Sequence, residues 1–170
     1  DMAMYSAKAA GRNAAAVFAP SLGTFGRERL TLDSALHKAL ERHELVLHYQ
    51  PQVDVSTGRL VGVEALMRWQ RGDRLLPPGE FIPLAEESGL IVPFSHWALS
   101  EVARQVAQWR AAFGFDGTIA VNLPARVLER PDLVDHLRLC TSAHQVPLSA
   151  LVIEITETGL VKDLKAVQTG

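Results

Sequence analysis

Four segments of this chain alternate apolar and polar residues with a period of two, which restricts the folds open to it. The segments are LVLHYQPQV from Leu45, RLVGVEALMRW from Arg59, TIAVNL from Thr118 and LVIEIT from Leu151. In the second segment Val63 and Ala65 share one face, and Glu64 and Arg68 share the other. Each segment therefore predicts a β-strand with one apolar face and one more polar face.

Stretches with a helical period separate the second, third and fourth strands. A short helix is predicted within GEFIPLAEESG, and a long one from about Pro93 to Phe113 that ends at Gly114. A third is predicted within PDLVDHLRLCTSAH, with Pro131 in its first turn. The long helix is expected to bury one stripe of side chains, formed by Leu99, Val102, Ala103, Val106, Trp109 and Phe113.

Strands that alternate with helices favour parallel pairing under a layer of helices, either in a doubly wound sheet or in a (β/α) barrel. A sheet covered on both sides needs two apolar faces, whereas a barrel can point small and polar side chains into its lumen. The polar strand faces therefore favour an α/β fold of the (β/α)8, TIM-like type. Because such a barrel has eight strands and about 250 residues, these 170 residues with four strands predict about its first half.

The region before the first strand has a different composition. Residues 1–13 are rich in alanine and predict a short helix that stops near Gly11. Residues 14–43 predict a linker with Pro and Gly breakers, followed by an amphipathic helix over 27–43. The partial barrel is then expected to occupy residues 44–170.

Composition excludes several classes of function. The net charge is −2, and Lys and Arg are scattered, so a nucleic-acid polymer is not an expected partner. The single cysteine, Cys140, cannot form an internal disulfide and fits a reducing compartment. No apolar run approaches the roughly 20 residues that span a bilayer. A cytoplasmic location is expected, although a region upstream could anchor a longer parent protein in a membrane.

Three polar residues lie late in apolar strands and suggest a metal site. Glu64, Asn122 and Glu154 carry the oxygen donors that hard divalent cations prefer. Ordinary alternatives exist, since Glu64 could pair with Arg68 and Asn122 could bond nearby backbone. Glu154 could favour a following helix through its dipole. Interior packing is the expectation for the remaining candidates, His48, Cys140, Trp69, Trp97 and Trp109.

Together, the motifs LHYQPQVDVSTGRLVGVEALMRW, PPGEFIPLAEESGLI, VNLPARVL and LVIEITET resemble the first half of an EAL domain. This is the family of cyclic di-GMP phosphodiesterases, and the resemblance covers roughly Leu45 to Gly159. Separately, DMAMYSAKAAGRN resembles the last helix of a GGDEF domain, the diguanylate cyclase fold often found before an EAL domain. The Gly-Gly-Asp-Glu-Phe signature is absent from the sequence, so the resemblance assigns no cyclase activity to it.

The resemblance implies hydrolysis of cyclic di-GMP to linear pGpG with Mg²⁺ or Mn²⁺. It places Glu64, Asn122 and Glu154 at the metal-ligand positions and makes Glu64 catalytic. It places Gln50, Leu66 and Arg68 at substrate-binding positions, with Leu66 contributing backbone, and Glu157 where it steadies a neighbouring loop. It also implies a homodimer for the intact protein.

Part of the family pattern is missing from this sequence. Family members carry, after the equivalent of Gly170, an Asp-Asp pair with a Gly-rich loop, a lysine, and further Glu and Gln positions. The fragment alone is therefore expected to be inactive. Its intact parent protein is expected to be the phosphodiesterase. Two other hypotheses remain open, a non-catalytic module that binds cyclic di-GMP and a half barrel that assembles with itself or a partner. Nucleotide binding and turnover distinguish the three.

Overall fold

A computed structural model describes residues 29–155. The chain divides into two compact units, residues 1–42 and 43–170. In the first unit residues 29–36 are helical and the following residues form turns, in which the amide of Lys38 bonds the carbonyl of Ala35 at 3.0 Å. The amphipathic helix predicted over 27–43 therefore ends earlier than expected, because turns with hydrogen bonds between residues three apart follow residue 36. The predicted helix over 1–13 lies outside the described residues, as do the first residues of the predicted linker.

The second unit alternates strands and helices, as the sequence predicts. Its described elements are β1 Leu45–Val53, β2 Leu60–Arg71, β3 Arg74–Leu76, α1 Pro78–Ser88, α2 Ile91–Phe113, β4 Thr118–Leu123, α3 Ala125–Leu128, α4 Leu133–Ala143 and β5 Leu151–Ile155. A short 3₁₀ turn, Leu148–Ala150, precedes β5. All four predicted strands and all three predicted helices are present, whereas β3 and α3 were not predicted. Among residues 29–155, no helix is long and apolar enough to cross a membrane.

The strands form one mixed sheet in the order β1-β2-β4-β5, with β3 paired to β2. β4 is parallel to both β2 and β5, as expected. The expectation of parallel pairing is wrong for β1, which is antiparallel to β2. A parallel pair needs a crossover of about a dozen residues or more, and only residues 54–59 connect these two strands.

Asp54 organises that short connection. Its Oδ1 accepts hydrogen bonds from the amide of Ser56 at 3.1 Å and from the amide of Thr57 at 2.8 Å, and it also accepts from both hydroxyls. These bonds, led by the one from the Ser56 hydroxyl, lower the pKa of Asp54 to about 2. Gly58 closes the turn with φ of +67°, a conformation that favours glycine. The local sequence thus specifies a hairpin.

The core lies between one face of the sheet and the helices. Its buried cluster includes Val63 and Ala65 of β2, Ile119 and Val121 of β4, and Leu99, Val102 and Val106 of α2. Trp109 packs against this cluster and meets Tyr49 edge-on, with ring centroids 4.8 Å apart. Trp69 is fully buried, which confirms its predicted place in the core. Phe113 was predicted to be buried, but it is 81% exposed, because α2 ends there and Gly114 turns the chain away.

Gly62 permits close packing between β1, β2 and β4. A Cβ at this position would lie 2.8 Å from the carbonyl oxygen of Thr118 and 3.1 Å from Oε1 of Gln52. We expect Gly62→Ala to lower the free energy of unfolding by about 1–3 kcal/mol, since the backbone oxygen cannot move aside cheaply. Denaturant unfolding measures this effect. Gly79→Ala in α1 is the control, because its Cβ would meet nothing within 4 Å. Equal stability of the two variants would contradict the packing argument.

A polar cluster joins α2 to α4. The rings of His96 and His136 stack with centroids 4.2 Å apart. Nε2 of His136 lies 2.9 Å from the carbonyl oxygen of His96, and since a carbonyl only accepts, this nitrogen carries the proton. Cys140 is 6% exposed, with its sulfur 3.1 Å from the hydroxyl of Ser100. The prediction that Cys140 is a buried packing residue is confirmed.

His96 makes stability depend on pH. Burial and the neighbouring His136 lower the pKa of His96 below its ordinary value of 6.5. The unfolded chain therefore binds more protons than the native one, so the contribution of His96 is complete above pH 6.5 and is lost as the pH falls through the native pKa. As the pH is lowered from about 8 to about 5, we expect the denaturant midpoint to fall less steeply for His96→Gln than for the wild type. His37→Gln, which removes an exposed histidine, is the control. Parallel profiles for His96→Gln and the wild type would refute this role.

Candidate active site

The strand register brings distant polar residues onto one face of the sheet. Gln50 is the cross-strand partner of Glu64, and Glu64 is the partner of Ala120. Two residues further along β4, Asn122 is the partner of Glu154 in β5. Cross-strand partners project from the same face, as do residues two apart on one strand. Gln50, Glu64, Asn122 and Glu154 therefore share the face opposite the buried core, which we call the site face.

Glu64 and Asn122 are in direct contact on the site face. Nδ2 of Asn122 donates a hydrogen bond of 2.6 Å to Oε1 of Glu64. Because an ionised carboxylate only accepts, the amide nitrogen must face Glu64, which leaves Oδ1 of Asn122 available to another group. The alternative in which the Asn122 side chain bonds nearby backbone is not what the structure shows. Both side chains are half-buried.

Arg68 lies on the site face four residues after Glu64. Its Nη1 donates a hydrogen bond of 2.9 Å to the carbonyl oxygen of Met67. Within residues 29–155 Arg68 forms no ion pair with Glu64, so the structural pairing considered from the sequence is not observed. A guanidinium has five N–H donors, and most of those of Arg68 are left for a ligand. Leu66 lies between the two charged residues and is half-buried.

The site face carries its polar groups near the carboxyl ends of the parallel strands. Asn122 is the second-last residue of β4, which ends at Leu123. Its partner Glu154 is followed by Ile155, the last residue that the structure describes. Parallel α/β sheets and barrels bind ligands at these strand ends, where loops from several strands converge. The polar groups thus lie where such folds place their sites.

The donors on this face suit a hard divalent cation. Glu64, Asn122 and Glu154 offer carboxylate and carboxamide oxygens, the ligand types of Mg²⁺ and Mn²⁺. Within residues 29–155 no group of three His, Cys, Asp or Glu residues is placed to hold a metal ion. A cation at these donors would therefore need further ligands from water or from groups outside the described residues. Glu157 lies outside the described residues, and its role stays a prediction.

Asn122→Asp tests the contact between the two site-face strands. The change replaces the amide donor with a carboxylate that faces Glu64, so the hydrogen bond becomes a repulsive contact. Without divalent cations we expect the free energy of unfolding to fall by about 2–3 kcal/mol, and millimolar Mg²⁺ to restore much of it because a cation screens the two charges. Thermal melts with and without Mg²⁺ measure both effects.

Asn122→Ala is the matched control for that experiment. It also loses the 2.6 Å bond to Glu64 but adds no charge. Its destabilisation is therefore expected to be unaffected by Mg²⁺. Equal responses of the alanine and aspartate variants to the cation would contradict a metal site that includes this position.

His48 was expected to be an interior residue, and the structure corrects this. It is exposed and lies on the site face, where its cross-strand partner is Leu66. The expectation failed because nothing within residues 29–155 covers His48 on this face of β1. The alternation of β1 places His48 on the same face as Gln50. That alternation was the available signal for including His48 in the site.

Comparison with known proteins bears on the same residues. The EAL domain family matches residues 33–169 of this chain. The chain belongs to the EAL domain family. As an EAL domain, it has its Glu64, Asn122 and Glu154 within the matched region. The expectation of membership is thus confirmed, whereas no comparison tests the resemblance of residues 1–13 to a GGDEF helix.

Two relatives of this EAL domain are named as cyclic di-GMP phosphodiesterases. It is 43% identical over 167 residues to the bifunctional diguanylate cyclase/cyclic di-GMP phosphodiesterase MucR of Pseudomonas aeruginosa, covering 98% of this chain and 24% of MucR. It is 42% identical over 164 residues to the cyclic di-GMP phosphodiesterase PdeR of Escherichia coli, covering 96% of this chain and 24% of PdeR. The chain therefore spans about a quarter of the length of these relatives.

A solved structure shares the fold. The P. aeruginosa MucR phosphodiesterase in complex with c-di-GMP matches this chain with a TM-score of 0.72 and 43% sequence identity. The match covers 80% of this chain and 56% of that one. The mixed α/β architecture is thus that of solved EAL domains.

Proposed function

We propose that this chain is part of a phosphodiesterase that hydrolyses one phosphodiester bond of cyclic di-GMP to give linear pGpG. The observation that carries the proposal is the placement of Glu64, Asn122 and Glu154 together on the site face, with a 2.6 Å bond between the first two. The names of MucR and PdeR support the same substrate. Residues outside this chain are needed to complete the reaction.

In this proposal Glu64, Asn122 and Glu154 hold Mg²⁺ or Mn²⁺, and Glu64 is the catalytic residue. The cation supplies Lewis acidity and lowers the pKa of water. Arg68 binds the phosphate through its planar set of donors, which matches phosphate oxygens. Gln50, the cross-strand partner of Glu64, also contacts the substrate. The backbone at Leu66, between Glu64 and Arg68 in β2, lines the pocket. The bond from Asn122 orients the Glu64 carboxylate.

The proposal extends to the whole protein. The sheet β1-β2-β4-β5 forms about the first half of a (β/α)8 TIM-like barrel, whose second half supplies the remaining ligands. The parent protein forms a homodimer in the cytoplasm, with residues 1–13 as the end of a GGDEF domain and residues 14–43 as the connection. Glu157 steadies a loop beside the metal ligands.

The test is hydrolysis of cyclic di-GMP by the intact protein, followed by chromatography of the products. We expect linear pGpG in the presence of Mg²⁺ or Mn²⁺, and no product after chelation. Binding of cyclic di-GMP without product would instead indicate a non-catalytic binding module. Neither binding nor product would indicate an assembly protein and would overturn the proposal.

A further inference from the structure

His48 occupies a specific position on the site face. The antiparallel register places Val46 opposite Arg68, His48 opposite Leu66 and Gln50 opposite Glu64. His48 thus lies between the positions of the proposed phosphate-binding arginine and the proposed metal ligand. Its diagonal neighbours on β2 are Arg68 and Glu64, at the roughly 7–8 Å typical of such pairs in a sheet. A side chain as long as histidine reaches a ligand held between them.

The imidazole of His48 has no other role within the described residues. The side chain is exposed, and within residues 29–155 it forms no hydrogen bond, ion pair or ring contact. By contrast, His37 bonds the carbonyl oxygen of Asp33 at 2.9 Å, and His136 bonds that of His96 at 2.9 Å. His48 therefore contributes little to the fold through polar contacts there.

The chemistry of the surroundings identifies what His48 can bind. Every protonation state of imidazole offers at least one N–H donor. Hard cations prefer oxygen ligands, so the nitrogen of His48 is suited to an anion rather than to the metal. Arg68 on one side and a cation at Glu64 on the other both attract a phosphate group. A phosphate oxygen between them is the acceptor that His48 faces.

We infer that His48 is a substrate-binding residue that donates a hydrogen bond to a non-bridging phosphate oxygen of the cyclic dinucleotide. This inference rests on the proposed function, and it adds a residue that the motif resemblance did not assign. Because the contact is made to the substrate before and during reaction, it contributes to binding more than to turnover.

The test compares His48→Ala and His48→Gln with the wild type in the intact protein. We expect His48→Ala to raise both the Kd and the KM for cyclic di-GMP about tenfold, the equivalent of one lost hydrogen bond, with kcat changed less than about twofold. His48→Gln keeps a donor and is expected to recover most of the affinity. His144→Ala is the control, since His144 lies in the connection that leads to the amino end of β5.

The outcomes separate this inference from the proposed function. Unchanged Kd and KM in His48→Ala, with an active wild type, would overturn the role of His48 and leave the phosphodiesterase intact. A fall in kcat at constant KM would also overturn it, because a binding contact acts on affinity. A wild type that neither binds nor cleaves cyclic di-GMP would overturn both. Equal thermal midpoints for all variants verify that the substitutions leave the fold intact.

Discussion

Glu64→Gln is expected to lower the rate of cyclic di-GMP hydrolysis by the intact protein about a thousandfold. A metal ion supplies several kcal/mol of transition-state stabilisation, and each 1.36 kcal/mol corresponds to a factor of about ten. The variant keeps the size of the side chain, and its Oε1 still accepts the hydrogen bond from Asn122 that the wild type forms at 2.6 Å. The loss should therefore appear in kcat while the thermal midpoint stays close to that of the wild type.

A matched control removes a carboxylate elsewhere. Asp116→Asn makes the same chemical change at an exposed residue that precedes β4, at the amino end of that strand. Its activity is expected to equal that of the wild type. Activity of Glu64→Gln within about fivefold of the control would rule out a metal-ligand role for Glu64, because the loss expected of a ligand is far larger.

Arg68→Ala is expected to weaken binding of cyclic di-GMP by at least about a hundredfold. The guanidinium is held by one observed bond, to the carbonyl oxygen of Met67, so several donors can engage a phosphate. Two charge-assisted hydrogen bonds contribute roughly 1.5–3 kcal/mol each, and 1.4 kcal/mol corresponds to about tenfold in affinity. Calorimetric titration with the dinucleotide measures the loss.

Arg68→Lys shows whether the affinity depends on the planar shape of the guanidinium or only on its charge. Lysine keeps the charge but lacks the planar fork that binds two phosphate oxygens together, so we expect only partial recovery. Arg59→Ala removes an exposed cation from the connection between β1 and β2 and should bind normally. Wild-type affinity in Arg68→Ala would contradict the assignment of Arg68 to phosphate.

The main strands and helices could be predicted because the spacing of apolar residues and the local composition determine them. TIAVNL alternates small or polar residues with large apolar ones, and the observed β4, Thr118–Leu123, has the predicted bounds. α2 ends at Phe113 as predicted, since Gly114 adopts φ of +65°. The apolar faces of β1 and β2 also pack as the alternation requires. These features depend on a few neighbouring residues at a time.

Features that depend on strand pairing were predicted less well. The predicted direction of β1 relative to β2 was wrong, because the short connection over 54–59 was not recognised as a hairpin. β3 was missed because three residues carry little periodicity. The bonding partner of Glu64 also could not be chosen from sequence, since Arg68 is near it in the chain while Asn122 reaches it through the parallel register of β2 and β4.

Anomalous scattering from Mn²⁺ in crystals of the intact protein tests the site most directly. We expect a peak within coordination distance of side-chain oxygens from Glu64, Asn122 and Glu154. A Mn²⁺ peak elsewhere, in a protein that still hydrolyses cyclic di-GMP, would contradict the assignment of the metal site to this face of the sheet.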